Sequence, residues 1–220
     1  MLLSMSSVID MSSNQFIGSL PYISSNVSFL DLSNNKLFGS ISHFLCYKMN
    51  EVKHMKFLNL RKNLLSGEIS DCRKMWQSLF ALNLGNNNFT GSIPISIGSL
   101  VALSYLHLQD NKFSRKIPLY LTNCEQLVTI DIAKNKFVGS IPSWMEYNLS
   151  KLVILNLHSN NFHSYIMKEP CLLTSLQILD LSNNKLFGSI PKCVYNFSSM
   201  TQATYHNSKY PFLLYQQSHH

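Results

Sequence analysis

The chain has 220 residues, a formal net charge of +7, 45% hydrophobic residues and only 13% charged residues. That charge density excludes a dedicated nucleic-acid surface. No apolar run approaches the ~20 residues needed to cross a bilayer as a helix.

A fixed internal period overrides any domain count based on length. Asparagines recur at Asn14, Asn35, Asn63, Asn87, Asn111, Asn135, Asn160 and Asn184, in steps of 21, 28, 24, 24, 24, 25 and 24 residues. The same apolar grid surrounds each, clearest from Leu176 to Pro191, LQILDLSNNKLFGSIP. A repeat of this length signals a leucine-rich-repeat solenoid, in which each unit buries its apolar face against its neighbours. In each unit two apolar residues flank an outward polar one, as in Leu179-Asp180-Leu181, which is the alternation of a strand. The predicted class is an α/β solenoid. It is a horseshoe with a parallel sheet on the concave face and an irregular or short-helical convex side.

The rest of each unit has a physical reading. The recurring Asn turns the chain out of the strand, and its buried amide must bond the backbone of adjacent turns. Two residues on, an apolar side chain returns inward. Gly follows two further on in six of eight units, with Arg115 and Ser164 as the departures. Such a Gly column predicts positive φ or close backbone approach. Pro closes five of the eight units and suits a bend onto the convex side.

In chain order, residues 1–8 lack the charged start and small-residue cleavage site of a signal peptide. The chain is expected to begin inside a repeat array. The first step, 21 residues, leaves room only for an extended return. The second, 28 residues, can hold a short helix within HFLCYKMNEVKHM. Units four to six, Leu79 to Pro142, are the most regular, and unit seven departs again. Residues 1–191 thus read as the solenoid, and 192–220 as a polar, Tyr-rich tail without the grid.

The cysteines repeat an offset. Cys46 and Cys72 lie 11 and 9 residues past their own Asn, and so do Cys171 and Cys193. This suggests two disulfides, Cys46–Cys72 and Cys171–Cys193, in an oxidising compartment. Buried free thiols are the alternative. Cys124 has no partner at that offset and is expected to be a buried thiol. Glycosylation sequons occur at Asn26, Asn88, Asn148 and Asn196, none of them a ladder Asn.

Outward side chains of the parallel sheet are the expected binding surface. The position four before each Asn is Asp or Asn in seven of eight units, which reads as a generic repeat choice, and His107 is the exception. Exposed aromatics six before the Asn, such as Phe57 and Tyr105, are stronger candidates. With Arg61, Gln109, Asp110 and His158 they are expected to cluster along the middle of the sheet. A solvated face with scattered aromatics is the alternative. No catalytic motif, metal motif or phosphate loop is present, so neither an enzyme nor a cofactor is expected.

The unit LxxLxLxxNxLxGxIP resembles the plant-specific class of leucine-rich repeats. The stretches HFLC…LNLRKNLLSGEISDC and LTSLQILDLSNNKLFGSIPKCVYNFSSM are similar to the membrane-proximal ectodomain of plant receptor-like proteins. That resemblance implies an extracellular horseshoe of a single-pass plasma-membrane receptor in defence or developmental signalling. It would bind a peptide, protein or glycan and act through partner kinases. The alternatives are a secreted inhibitor of microbial wall-degrading enzymes and a truncated, non-functional receptor copy.

Overall fold

The computed structural model describes residues 7–46, 54–72, 76–165 and 172–191. Cys171, Cys193, Asn196 and the tail 192–220 lie outside them. Fifteen strands alternate along the described chain between two kinds of sheet. The odd-numbered strands are β1 (Ser7–Asp10), β3 (Val27–Asp31), β5 (Phe57–Asn59), β7 (Ala81–Asn83), β9 (Tyr105–His107), β11 (Thr129–Asp131), β13 (Ile154–Asn156) and β15 (Ile178–Asp180). They form one eight-stranded sheet in chain order, parallel throughout. Equivalent grid positions pair: Leu58 with Leu82, Leu106 with Ile130, Leu155 with Leu179. A slip of one residue would turn every buried leucine onto the concave face, so burial holds the register.

The even-numbered strands were not anticipated. They are β2 (Ile17–Gly18), β4 (Lys36–Gly39), β6 (Leu64–Glu68), β8 (Asn88–Thr90), β10 (Ser114–Arg115), β12 (Lys136–Gly139) and β14 (Asn161–Phe162). β2 to β8 form one parallel sheet and β10 to β14 another, both on the flank of the solenoid. The chain reaches this flank through a left-handed residue before each ladder Asn, such as Lys62 at φ 59° and Asp110 at φ 55°. On the convex side lie two helical turns, α1 (Ser42–Cys46) and α2 (Trp144–Asn148), and two 3-10 turns, Ile95–Ser99 and Leu119–Asn123. The 3-10 turns pack tightly: a Cβ on Gly98 would lie 2.5 Å from the Tyr120 carbonyl oxygen.

The core is a strip running the length of the array. Its largest fully buried members are Phe89, Phe113, Phe137 and Phe162, two residues past their ladder Asn. Their rings stack at centroid spacings of 6.0, 6.2 and 6.3 Å. The ladder amides lie beside them. Asn111 Nδ2 donates to the carbonyls of Leu84, Leu108 and Gln109 at 2.9–3.3 Å, and its Oδ1 accepts the Phe89 N–H at 3.0 Å. Asn35, Asn63, Asn87, Asn135 and Asn160 repeat this pattern and are equally buried. The ends differ from the expected buried spine. Asn14 is exposed and bonds only within its own turn, and Asn184 is half-buried. Within the described residues no coil packs outside either one.

The glycine column has positive φ, as in Gly39 at 88° and Gly139 at 91°. Arg115 keeps that conformation at φ 74°, although a side chain there costs about 1–2 kcal/mol. Cys46 and Cys72 are bonded, with Cα atoms 5.4 Å apart. Closing that loop stabilises the fold by about 3 kcal/mol in the chain-entropy picture. Cys124 is a free buried thiol whose pKa burial pushes up to about 12, so it is inert near neutrality.

Two outcomes follow. Asn111→Ala should lower unfolding stability by about 1–3 kcal/mol, since it strands buried carbonyls and an N–H. Asn14→Ala should change it by less than about 0.5 kcal/mol. Urea denaturation of the two variants checks the contrast. A thiol titration of denatured, unreduced protein should count one free cysteine. A count of three would leave Cys171 and Cys193 unpaired.

Candidate functional site on the concave face

The concave face is built by three outward columns of the main sheet. In the middle column, seven side chains close the same local turn. Asp10, Asp31, Asn59, Asn83, Asp131, Asn156 and Asp180 each accept the backbone N–H two residues on, at 2.9–3.2 Å. This is why Asp and Asn recur there: a short acceptor satisfies a donor just past the strand end. His107 breaks the pattern. Its ring makes no such bond to Gln109, and its Nε2 is buried without a partner. Gln109 Oε1 is likewise buried and unpartnered.

Arg61 dominates the surroundings of this pair. Its Nε donates to Asn86 Oδ1 at 3.1 Å. Burial lowers its pKa, and the carboxylate of Asp131, three strands away in the sheet order, opposes that shift. Burial first, and then the charge of Arg61, push the His107 pKa down to about 4. The charge of the guanidinium is therefore felt by both His107 and Asp131 across the middle strands. Gly85 makes room for the Gln109 side chain, because a Cβ there would lie 2.6 Å from its amide. At neutral pH the centre of the face is thus one fixed cation above two neutral hydrogen-bonding side chains. That arrangement suits recognition rather than proton transfer, and among the described residues no cluster of three or more His, Cys, Asp or Glu could hold a metal.

The expected site residues fall into three groups. Arg61, His107 and Gln109 are together. Tyr105, at the end of the same strand, was expected to be exposed, but it is only 7% exposed, edge-on to Phe80 at 5.1 Å. His107 and Gln109 are also buried, at 5% and 8%. The inward curvature of the sheet crowds neighbouring outward side chains, which a flat ribbon would leave open. Asp110 is exposed at the corner and accepts from Asn86 Nδ2 at 2.6 Å. Phe57 and His158 lie outside the cluster. Phe57 is half-buried and stacks on Phe29 at 4.3 Å, while His158 meets Ser182 Oγ at 2.7 Å and Ser159 Oγ at 2.9 Å. Gly85, Asn86 and Asp131 were missed. Gly85 carried a usable signal, since it is a glycine outside the glycine column. Of the sequons, Asn26 and Asn148 are exposed and Asn88 is half-buried at the start of β8.

The leucine-rich-repeat pattern matches residues 125–186 in one form and residues 26–47, 78–100 and 102–124 in another. The chain belongs to the leucine-rich-repeat family. Its kinship is with plant receptor-like proteins. It is 38% identical to Receptor-like protein 54 of Arabidopsis thaliana over 189 residues, covering 84% of this chain and 23% of that protein. It therefore spans about a quarter of that relative. Among solved structures it resembles the Arabidopsis receptor kinase HAESA in complex with the peptide hormone IDA and the co-receptor SERK1. There the TM-score is 0.80 and the identity 32%, over 88% of this chain and 32% of that one. The plant peptide hormone receptor RGFR1 in complex with RGF2 is similar too, with a TM-score of 0.73 and 30% identity over 81% of this chain and 28% of that one.

A pH dependence follows from His107. Its pKa is depressed by folding, so its contribution to stability is complete above the unfolded value near 6.5 and is lost as pH falls towards about 4. The full span corresponds to about 3 kcal/mol. His107→Asn should remove this component. It should also add about 1 kcal/mol at pH 7 by supplying the missing acceptor for the Gln109 N–H. Urea midpoints of both proteins at pH 4.5 and pH 7 check it.

Proposed function

We propose that this chain is part of the ligand-reading ectodomain of a plant cell-surface receptor-like protein, and that a peptide docks on its concave face across Arg61, His107 and Gln109. The observation that carries the reading is the break in the middle column. Seven units satisfy their turn internally, whereas the eighth leaves His107 Nε2 and Gln109 Oε1 buried without partners. Such atoms are costly unless something bonds them, and a bound main chain supplies both donors and acceptors. Phe57, stacked on Phe29, gives an apolar shelf on the N-terminal side, and aromatics of this kind anchor interfaces. One receptor of similar architecture is in complex with a peptide hormone and a co-receptor, and another is a peptide hormone receptor in complex with RGF2, which supports the same use of this surface.

In the whole receptor the solenoid stands outside the plasma membrane, and signalling passes to a partner kinase. Among the described residues no helix is long and apolar enough to cross a membrane. Glycans on Asn26, Asn88 and Asn148 belong to the same proposal, and none of the three residues lies in the concave columns.

The test uses a secreted ectodomain containing this segment, incubated with peptides from plant extracellular fluid. Retained species are compared with those on Arg61→Ala and Phe57→Ser variants of matched thermal stability. A peptide held by the wild type should be retained at least about tenfold less by Arg61→Ala, as for a central contact, and less well than wild type by Phe57→Ser, as for a flanking one. Equal retention by all three would remove the concave face as the site.

A further inference from the structure

The positive charge is not spread evenly over the solenoid. The outward columns of the main sheet carry Asp10, Asp31, Asp131 and Asp180 against a single Arg61, so the concave face is acidic. The excess of cations lies on the flank made by β10 and β12 and the turns that lead into them. Lys112, Arg115, Lys116, Lys134 and Lys136 are all exposed there. Among the described residues, none of these five side chains has a hydrogen-bond or ion-pair partner. Two acids border this flank: Asp110 is engaged with Asn86, and the Glu68 side chain lies against Gly91, one unit before Arg115. Strand pairing sets Ser114 beside Lys136 and Arg115 beside Phe137, and Lys112 and Lys136 hold the same place in two successive units. Lys36 and Lys185 occupy the same column as Lys112 and Lys136 towards the two ends of the array.

Arg115 adds an independent observation. Six units have glycine at this position, and all six glycines have positive φ. Arg115 has the same conformation with a full side chain. Backbone strain of this kind persists where the side chain has a use. Here the strained residue places a guanidinium in the middle of the lysines.

The spacing selects among anionic partners. A phosphate calls for cations converging on one point, whereas Lys112 and Lys136 occupy equivalent places in stacked units. They form a ladder whose rungs follow the strand spacing of about 4.8 Å along the solenoid axis. A linear chain with one carboxylate per sugar ring repeats on the same scale. A flat bilayer is disfavoured by Asn88, whose sequon sits in the adjacent strand β8 in the same column as Lys112. A glycan there would hold a membrane away and leave a thin chain free to lie alongside. We infer that the β10–β12 flank binds a linear acidic polysaccharide of the polyuronate class, through Lys112, Arg115, Lys134 and Lys136. The concave face remains free for another ligand.

The test uses this chain as a secreted protein, with sodium polygalacturonate, its fully methyl-esterified neutral form, and phosphatidylcholine vesicles containing one-fifth phosphatidylserine. The acidic polymer should bind at low salt and be released by about 1 M NaCl, where the screening length falls to roughly 3 Å. A variant with Lys112→Gln, Arg115→Gly, Lys134→Asn and Lys136→Gln should bind it about tenfold more weakly, with its circular dichroism unchanged. Arg115→Gly alone should weaken binding while raising the melting temperature, a pairing that misfolding cannot produce. Wild-type affinity in the fourfold variant would overturn the assignment. So would equal binding of the neutral ester, or vesicle binding as strong as that of the acidic polymer.

Discussion

The fold depends on a side-chain amide that bonds in two directions at once. Each internal ladder asparagine donates to carbonyls of its own turn and of the preceding turn, and accepts an N–H from that preceding turn. No other polar side chain of that length has both a two-proton donor and an acceptor in one plane. The coil leaves the strand through a left-handed residue, which prevents the backbone from closing its own hydrogen bonds there. The asparagine replaces those bonds and carries the debt of each turn to its neighbour. Stability is therefore a nearest-neighbour property, and Asn14, with no turn packed outside it in the described chain, makes only local contacts.

The phenylalanine stack works with this ladder. The amide fixes where the chain turns, and the ring two residues later fills the space that the turn encloses. Centroid spacings of 6.0–6.3 Å exceed the strand separation on the concave side. Bulkier filling on one side than on the other is what curves the array. That curvature in turn crowds the outward columns, which is how Tyr105, His107 and Gln109 come to be buried on a face that is formally solvent-facing.

Much of the architecture was legible because it is periodic. The strand positions, the turning asparagines, the positive φ of the glycine column and the Cys46–Cys72 bridge all follow from comparing a unit with its neighbours. The flank strands were not legible. They are two to five residues long and lack a sustained alternation, so nothing in their text separates them from a turn. The site was legible in part. His107 stood out because it broke a column, whereas the seating of Gln109 against Gly85 and the influence of Asp131 on Arg61 join units that are far apart in sequence.

In a repeat protein the consensus residues specify the scaffold, so specificity has to be written in the departures from it. Two departures here bear a measurable penalty. His107 forgoes a turn-closing bond and leaves buried polar atoms without partners. Arg115 holds a left-handed backbone without being glycine. Both sit in the same unit, around Asn111, whose length is regular, so neither is explained by a local insertion that distorts the coil. They also point to different faces of unlike charge, one acidic and concave, the other basic and on the flank. Drift would be expected to favour residues that the scaffold tolerates at no expense, such as Asn at the first position and Gly at the second, since each is what its neighbours carry. Each proposed face contains one of these departures: His107 on the concave side and Arg115 on the flank.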